Sequence, residues 1–149
     1  MISKILVPTD GSQPARKSIE YAAELAQQTG AILTVISIID KNYVIPKSMP
    51  VIKTKKMLME PIENYLKKAA EAYLEDAERA CRKFGVEPKK VIRGGHPVEE
   101  IIREAQKSKS DLIVIGSHGR SALKAAVLGS VAYGVINKET KIPVLVVRK

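Results

Sequence analysis

The chain reads as an α/β protein: an open, twisted, five-stranded parallel sheet, in the order 3-2-1-4-5, with helices on both faces. Three observations carry that reading. Short apolar runs rich in β-branched residues alternate with stretches of helical period from one end of the sequence to the other. The strand candidates are almost continuously apolar, as strands covered on both faces must be. There is no Trp and only one Phe, so the core has to be filled with Ile, Val, Leu and Ala. At 149 residues the chain fits a single domain, 1–149, with one substantial core.

Lys4-Ile5-Leu6-Val7 is a first strand that stops at Pro8-Thr9-Asp10-Gly11-Ser12, a turn of breakers and small polar groups. From Pro14, the positions Ile19, Ala22, Ala23, Leu25 and Ala26 recur at helical spacing, and Gly30 stands where a helix stop is expected. Ile32 to Ile39 is a second buried-type strand ending at Asp40. Residues 41–56 contain Pro46 and Pro50 with no clear period and read as an irregular insert. A long helix follows from about Met57, with Ile62, Leu66, Ala69, Tyr73, Ala77, Ala80 and Phe84 along one ridge and Gly85 as its stop. Val86 to Arg93 gives a third strand before Gly94-Gly95-His96. Pro97 then opens a helix carrying Val98, Ile101, Ile102 and Ala105. The fourth strand is 111–115, the next helix runs from Ser130 to about Asn137, and Pro143 to Val147 closes the chain as a fifth strand.

The most informative segment is Gly116 to Ser130. It places Gly116, Gly119 and Gly129 at spacings of three and ten directly after an apolar strand, with the hydroxyl of Ser130 at a helix start. Glycines let main-chain amides approach an anion, and a helix start adds unpaired N–H donors and the positive end of a dipole. The segment reads as a phosphate cradle. In an open parallel sheet, ligands sit beyond the carboxyl ends of the strands where the strand order reverses. With strands 1 and 4 as neighbours there, Pro8-Thr9-Asp10 and Gly116-Ser117-His118-Gly119 line one crevice, bordered by Ser37 to Asp40.

Other classes fall away on motif grounds. No P-loop is present. The turn after strand 1 offers only Gly11 where a dinucleotide fingerprint needs three glycines. There is no zinc spacing and no Gly-x-Ser-x-Gly elbow. The net charge of +9 raises nucleic acid as a partner. The basic residues are scattered, however, and aromatics are too few for stacking platforms, so solvated lysine-coated helices are preferred. Met1 to Asp10 turns polar within a few residues, and no stretch approaches a membrane span. The single cysteine, Cys81, cannot form an internal disulfide. A cytoplasmic protein with no membrane partner is expected.

The pattern Gly116-x2-Gly119-x9-Gly129-Ser130, together with Val7-Pro8-Thr9-Asp10-Gly11-Ser12 and the closing Lys141 to Val147, resembles the universal stress protein family, most closely its ATP-binding branch. The likeness covers essentially the whole chain and implies the adenine nucleotide alpha hydrolase-like fold. It also implies that Gly116, Gly119, Gly129 and Ser130 surround the ribose and phosphates, with the amides of Ser130, Val131 and Ala132 pointing at phosphate oxygens. The competing account of the glycines is tight turns and close helix–sheet packing. Asp10 is implied beside the ribose and phosphates; an Asx-turn or helix cap is the alternative, and both can hold together. Pro8 and Thr9 supply backbone and wall, Ile38 the strand 2 position against the adenine, and Ile115 the opposite wall. His118 is a candidate donor to phosphate or ribose, or a solvent-facing loop histidine. Arg120 and Lys124 are candidate counter-charges, with a solvated helix face favoured for Lys124. His96 is left outside the site, and Cys81 is assigned to packing.

The resemblance implies an adenine nucleotide ligand: ATP, with AMP or ADP as alternatives, and Mg2+ or Mn2+ held mainly by the phosphates. It implies a nucleotide-dependent regulator or sensor in stress response. No catalytic residue and no protein metal ligand is assigned, because no general base or Arg finger accompanies the cradle. The alternatives are a slow ATPase or nucleotidyl-transferring enzyme on the same fold, or an interaction module with an empty site. Strand 5, Val144-Leu145-Val146-Val147, is apolar and falls at a sheet edge, and the family commonly pairs there, so a homodimer is expected.

Overall fold

A computed structural model describes residues 1–40, 52–118, 128–138 and 141–148; within 52–60 it describes the backbone alone. The elements are β1 (Lys4–Pro8), α1 (Gln13–Thr29), β2 (Ile32–Ile39), α2 (Ile52–Arg82), β3 (Lys89–Gly94), α3 (Pro97–Lys107), β4 (Leu112–Gly116), α4 (Ser130–Lys138) and β5 (Val144–Val147). The five strands form one parallel sheet in the order β3-β2-β1-β4-β5. The expected fold class and strand order are therefore those observed. The order reverses between β1 and β4, where Ile5 pairs Leu112 and Leu6 pairs Ile113.

Alternation along the strands splits the core into two layers. Ile5, Val7, Leu33, Val35, Leu112 and Val114 face α1 and α2. Leu6, Ile36, Ile113 and Ile115 face α3 and α4. On the first face α1 contributes Ile19, Ala22, Ala23 and Ala26 at helical spacing. Small side chains there let the helix axis lie close to the sheet. Ser12 caps α1 by accepting the Ala15 amide at 3.2 Å, with Pro14 in the first turn.

Two boundaries differ from the sequence reading. Helix α2 begins at Ile52, so residues 52–56 of the expected irregular insert are helical; 41–51 lie outside the described residues. Its buried residues are Ala70, Leu74, Ala77, Ala80 and Cys81, so the expected Ala77 and Ala80 are buried while Ala70 and Leu74 take the place of Ala69 and Tyr73. Ile62, Leu66, Ala69 and Tyr73 are half-buried at its flank. Strand β3 starts at Lys89 rather than Val86 because the intervening residues terminate the helix. The Val86 amide donates to the Cys81 carbonyl at 3.1 Å and the Gly85 amide to that of Arg82 at 3.0 Å. Gly85 has φ +73°. This is a Schellman end, which needs a residue that accepts a left-handed backbone. The joint is braced where Lys90 bonds Glu78 at 2.8 Å, which holds the Glu78 carboxyl below its ordinary value.

Cys81 is fully buried, and burial pushes its thiol up to about 12. It is a packing residue with almost no thiolate at neutral pH. Among the described residues no helix is long and apolar enough to cross a membrane.

The central β1–β4 pair is pinned at the end away from the crevice. One carboxylate oxygen of Asp111 accepts the Ser3 hydroxyl at 2.7 Å, the Ser3 amide at 2.8 Å and the Lys4 amide at 2.9 Å. The Asp111 amide in turn donates to the Lys4 carbonyl at 2.8 Å. The Ser3 hydroxyl, then the two amides, hold the Asp111 carboxyl below its ordinary value of 3.8. A depressed carboxyl stabilises the folded chain above its unfolded value, and that stabilisation is lost as pH falls through the folded value. Asp111→Ala is expected to lower the urea unfolding midpoint at neutral pH. Its difference from wild type should shrink as pH is taken down through the carboxylate range. A difference that does not change with pH would show that ionisation of Asp111 plays no part.

Candidate functional site

The crevice forms where β1 and β4 separate. After β1, the Thr9 amide donates to the Ile36 carbonyl at 2.9 Å, tying the turn to β2. The Gly11 amide donates to the Thr9 hydroxyl at 3.2 Å, and the Ser12 amide to Asp10 Oδ1 at 2.9 Å. Asp10 thus forms the Asx-turn, with its carboxylate half-exposed at the strand end. The turn role expected as the alternative for Asp10 is therefore present, at the carboxyl end of β1. Ile38, half-buried at the end of β2, packs on the α3–α4 layer. The Gly95 amide donates to the Ile39 carbonyl at 3.0 Å, so the β3 end is tied to the β2 end as well.

On the other side, Ile115 is 4% exposed and packs with Ala132 and Val135. Its side chain belongs to the core layer under α4. Gly116 is still in the strand, paired with Val147. A Cβ on it would lie 2.9 Å from the Pro14 carbonyl oxygen and 3.1 Å from its carbon. Close packing, the competing account of the glycines, therefore holds for Gly116: it lets the first turn of α1 rest on β4.

Ser117 then organises the cradle. Its amide donates to the Val147 carbonyl at 2.9 Å, and its carbonyl accepts the Gly129 amide at 2.6 Å. The Ser117 hydroxyl and His118 Nδ1 share a hydrogen bond of 2.7 Å, which orients the ring. Gly119, Arg120 and Lys124 lie outside the described residues. The Gly129–Ser117 bond closes the segment between them and sets the start of α4 beside the end of β4. The Tyr133 amide donates to the Gly129 carbonyl at 2.9 Å, the first bond of the helix. The amides of Ser130, Val131 and Ala132 therefore fall in the first turn, where helix geometry supplies no carbonyl partner. Ser130 is exposed, Val131 half-buried and Ala132 buried.

The structure thus gathers Pro8, Thr9, Asp10, Gly116, His118, Gly129 and Ser130 at one end of the sheet. His96 is exposed at the start of α3, beside the edge strand β3 and away from the β1–β4 junction. Among the described residues no group of three or more His, Cys, Asp or Glu side chains could hold a metal ion. Two residues were not singled out from the sequence. Ser117 was readable as the small hydroxyl between Gly116 and the loop. Tyr73 was assigned to a helix ridge, and its contact with Gly11 is visible only in three dimensions.

The model of the universal stress protein family matches residues 1–148. The chain belongs to the universal stress protein family. It is 33% identical to universal stress protein YxiE of Bacillus subtilis, over 99% of this chain and 100% of that protein. It is 32% identical to universal stress protein MJ0531 of Methanocaldococcus jannaschii, covering 100% of this chain and 84% of that one. The solved structure of MJ0577 from the same organism superposes with a TM-score of 0.83 at 31% identity, covering 100% of this chain and 97% of that chain. A universal stress protein solved with cAMP and one from Archaeoglobus fulgidus solved with dAMP share the fold, at TM-scores of 0.68 and 0.61 and identities of 24% and 23%.

Gly116→Ala places a methyl group against main chain that cannot swing away. In this universal stress protein it should cost about 1–3 kcal/mol of stability, as overpacked sites do. Urea unfolding of nucleotide-free protein measures this; an unchanged midpoint would remove the packing role.

Proposed function

We propose that this universal stress protein binds ATP in the crevice between the β1 turn and the start of α4, and acts in the cytoplasm as a nucleotide-dependent regulator or sensor in stress response. The observation that carries the reading is the Gly129–Ser117 bond, which aims the first-turn amides of α4 at the mouth of β4. Three amides at a helix start, with no carboxylate among Ser130, Val131 and Ala132, suit an anionic oxygen cluster. Asp10 sits across the same mouth, where a carboxylate near phosphates favours an intervening hydroxyl or cation. Mg2+ or Mn2+ carried mainly by the phosphates fits that chemistry. Proteins of this fold have been solved with the adenylates cAMP and dAMP, which supports an adenine ligand for the crevice.

The first-turn amides of α4 suit an anionic oxygen cluster, and binding rather than turnover is the function proposed. Bound nucleotide then acts by mass action on the folded state. Denaturing protein purified without added nucleotide should release an adenine nucleotide identifiable by mass spectrometry. Calorimetry of stripped protein with Mg·ATP should show one site per chain, with labelled ATP not turned over repeatedly. Absence of binding at millimolar ATP would refute the reading, and multiple turnover would replace it with an ATPase.

The chain is also proposed to be a homodimer through β5. All four residues Val144–Val147 are half-buried apolar side chains on a strand that, among the described residues, pairs only with β4. Such an edge invites a second strand. Sedimentation at micromolar concentration should give twice the chain mass, and Leu145→Lys should return it to one.

A further inference from the structure

The turn after β1 meets α2 at one point. Gly11 has φ +77°, and a Cβ there would lie 2.4 Å from both Cδ1 and Cε1 of Tyr73 and 3.0 Å from its Cζ. The phenol ring occupies the volume that any larger residue at 11 would need, and it lies against the main chain of the turn. Tyr73 is not part of the buried ridge of α2; it is half-buried, while its neighbour Leu74 is 4% exposed in the core. The ring fills space over the turn rather than space between helix and sheet.

That turn is tied to β2 by the Thr9 amide and to α1 by the Ser12 cap. Its local bonds are the Gly11 amide to the Thr9 hydroxyl and the Ser12 amide to Asp10 Oδ1. Glycine leaves the main chain between them free to adopt other conformations. A rigid aromatic ring packed on the glycine removes those alternatives before any ligand arrives. Affinity is lost when a loop must become ordered on binding, and gained when it is already in place.

We propose that Tyr73 is a positioning residue for the Thr9–Ser12 turn: by packing on Gly11 it holds the Asp10 carboxylate in its crevice-facing place and makes α2 a support of the ligand site. Its consequence for affinity rests on the adenine nucleotide reading above; its effect on the turn does not. The ring carbons Cδ1, Cε1 and Cζ are the atoms that a Cβ at position 11 would meet.

Three variants separate positioning from general loss of stability: Tyr73→Ala, Tyr73→Phe and Leu74→Ala. In nucleotide-stripped protein titrated with Mg·ATP, Tyr73→Ala should weaken binding roughly tenfold, an ordinary coupling for groups in contact. Tyr73→Phe should bind as wild type does. Leu74→Ala should lower the unfolding midpoint and leave affinity unchanged. In nucleotide-free protein, NMR hydrogen exchange at the Gly11 and Ser12 amides should accelerate in Tyr73→Ala and not in Leu74→Ala. Turn amides that exchange no faster in Tyr73→Ala, or wild-type ATP affinity in that variant, overturn the proposal. A wild type that binds no adenine nucleotide, with amides that still open in Tyr73→Ala, upholds the positioning role and refutes the nucleotide reading alone.

Discussion

The crevice exists because β1 and β4 lie side by side although most of the chain separates them. Parallel strands cannot be joined by a tight turn, so their contact must be secured by groups distant in sequence. At one end Asp111 gathers the Ser3 and Lys4 donors onto a single carboxylate oxygen. At the other, the bare Gly116 lets the first turn of α1 descend onto the strand. Between them, Ile5 and Leu6 pair with Leu112 and Ile113 and lie in opposite layers of the core. A change at either end would alter how far the strands diverge, and so the width of the mouth.

The same arrangement shows how much of the glycine-bearing segment is taken up by architecture. Gly116 is committed to packing, Ser117 to main-chain bonds on both sides, and Gly129 to closing the loop and starting α4. The groups that follow, the first-turn amides of α4, have no carbonyl partner within the helix. A glycine pattern recognised as a binding signature is thus partly a set of instructions for holding strand, loop and helix together.

Much of this was legible in the sequence. Strand β2 was readable to its ends because Gly30 and Asp40 bracket an unbroken β-branched run. The order 3-2-1-4-5 is the arrangement that brings the polar ends of strands 1 and 4 into one crevice, and the sheet has it. The start of β3 was not legible, because Val86 is apolar and β-branched yet spends itself capping α2. The end of α3 was obscure for a related reason: its reversal is made by Lys109 at φ 56°, a residue that gives no stop signal. Whether Ile115 also borders the crevice is not legible, because an apolar residue at a strand end looks the same whether it faces a ligand or a helix. Tyr73 escaped notice because periodicity reports which face of a helix is apolar, not what lies opposite one ring.

Main-chain bonds lace the rim of the sheet from strand to strand: Thr9 to Ile36, Gly95 to Ile39, Ser117 to Val147. Such bonds are indifferent to the side chains that carry them. The rim can keep its contour while Ser37 or Ile38 is exchanged. Side chains at those strand ends can therefore vary without renegotiating how the polypeptide folds.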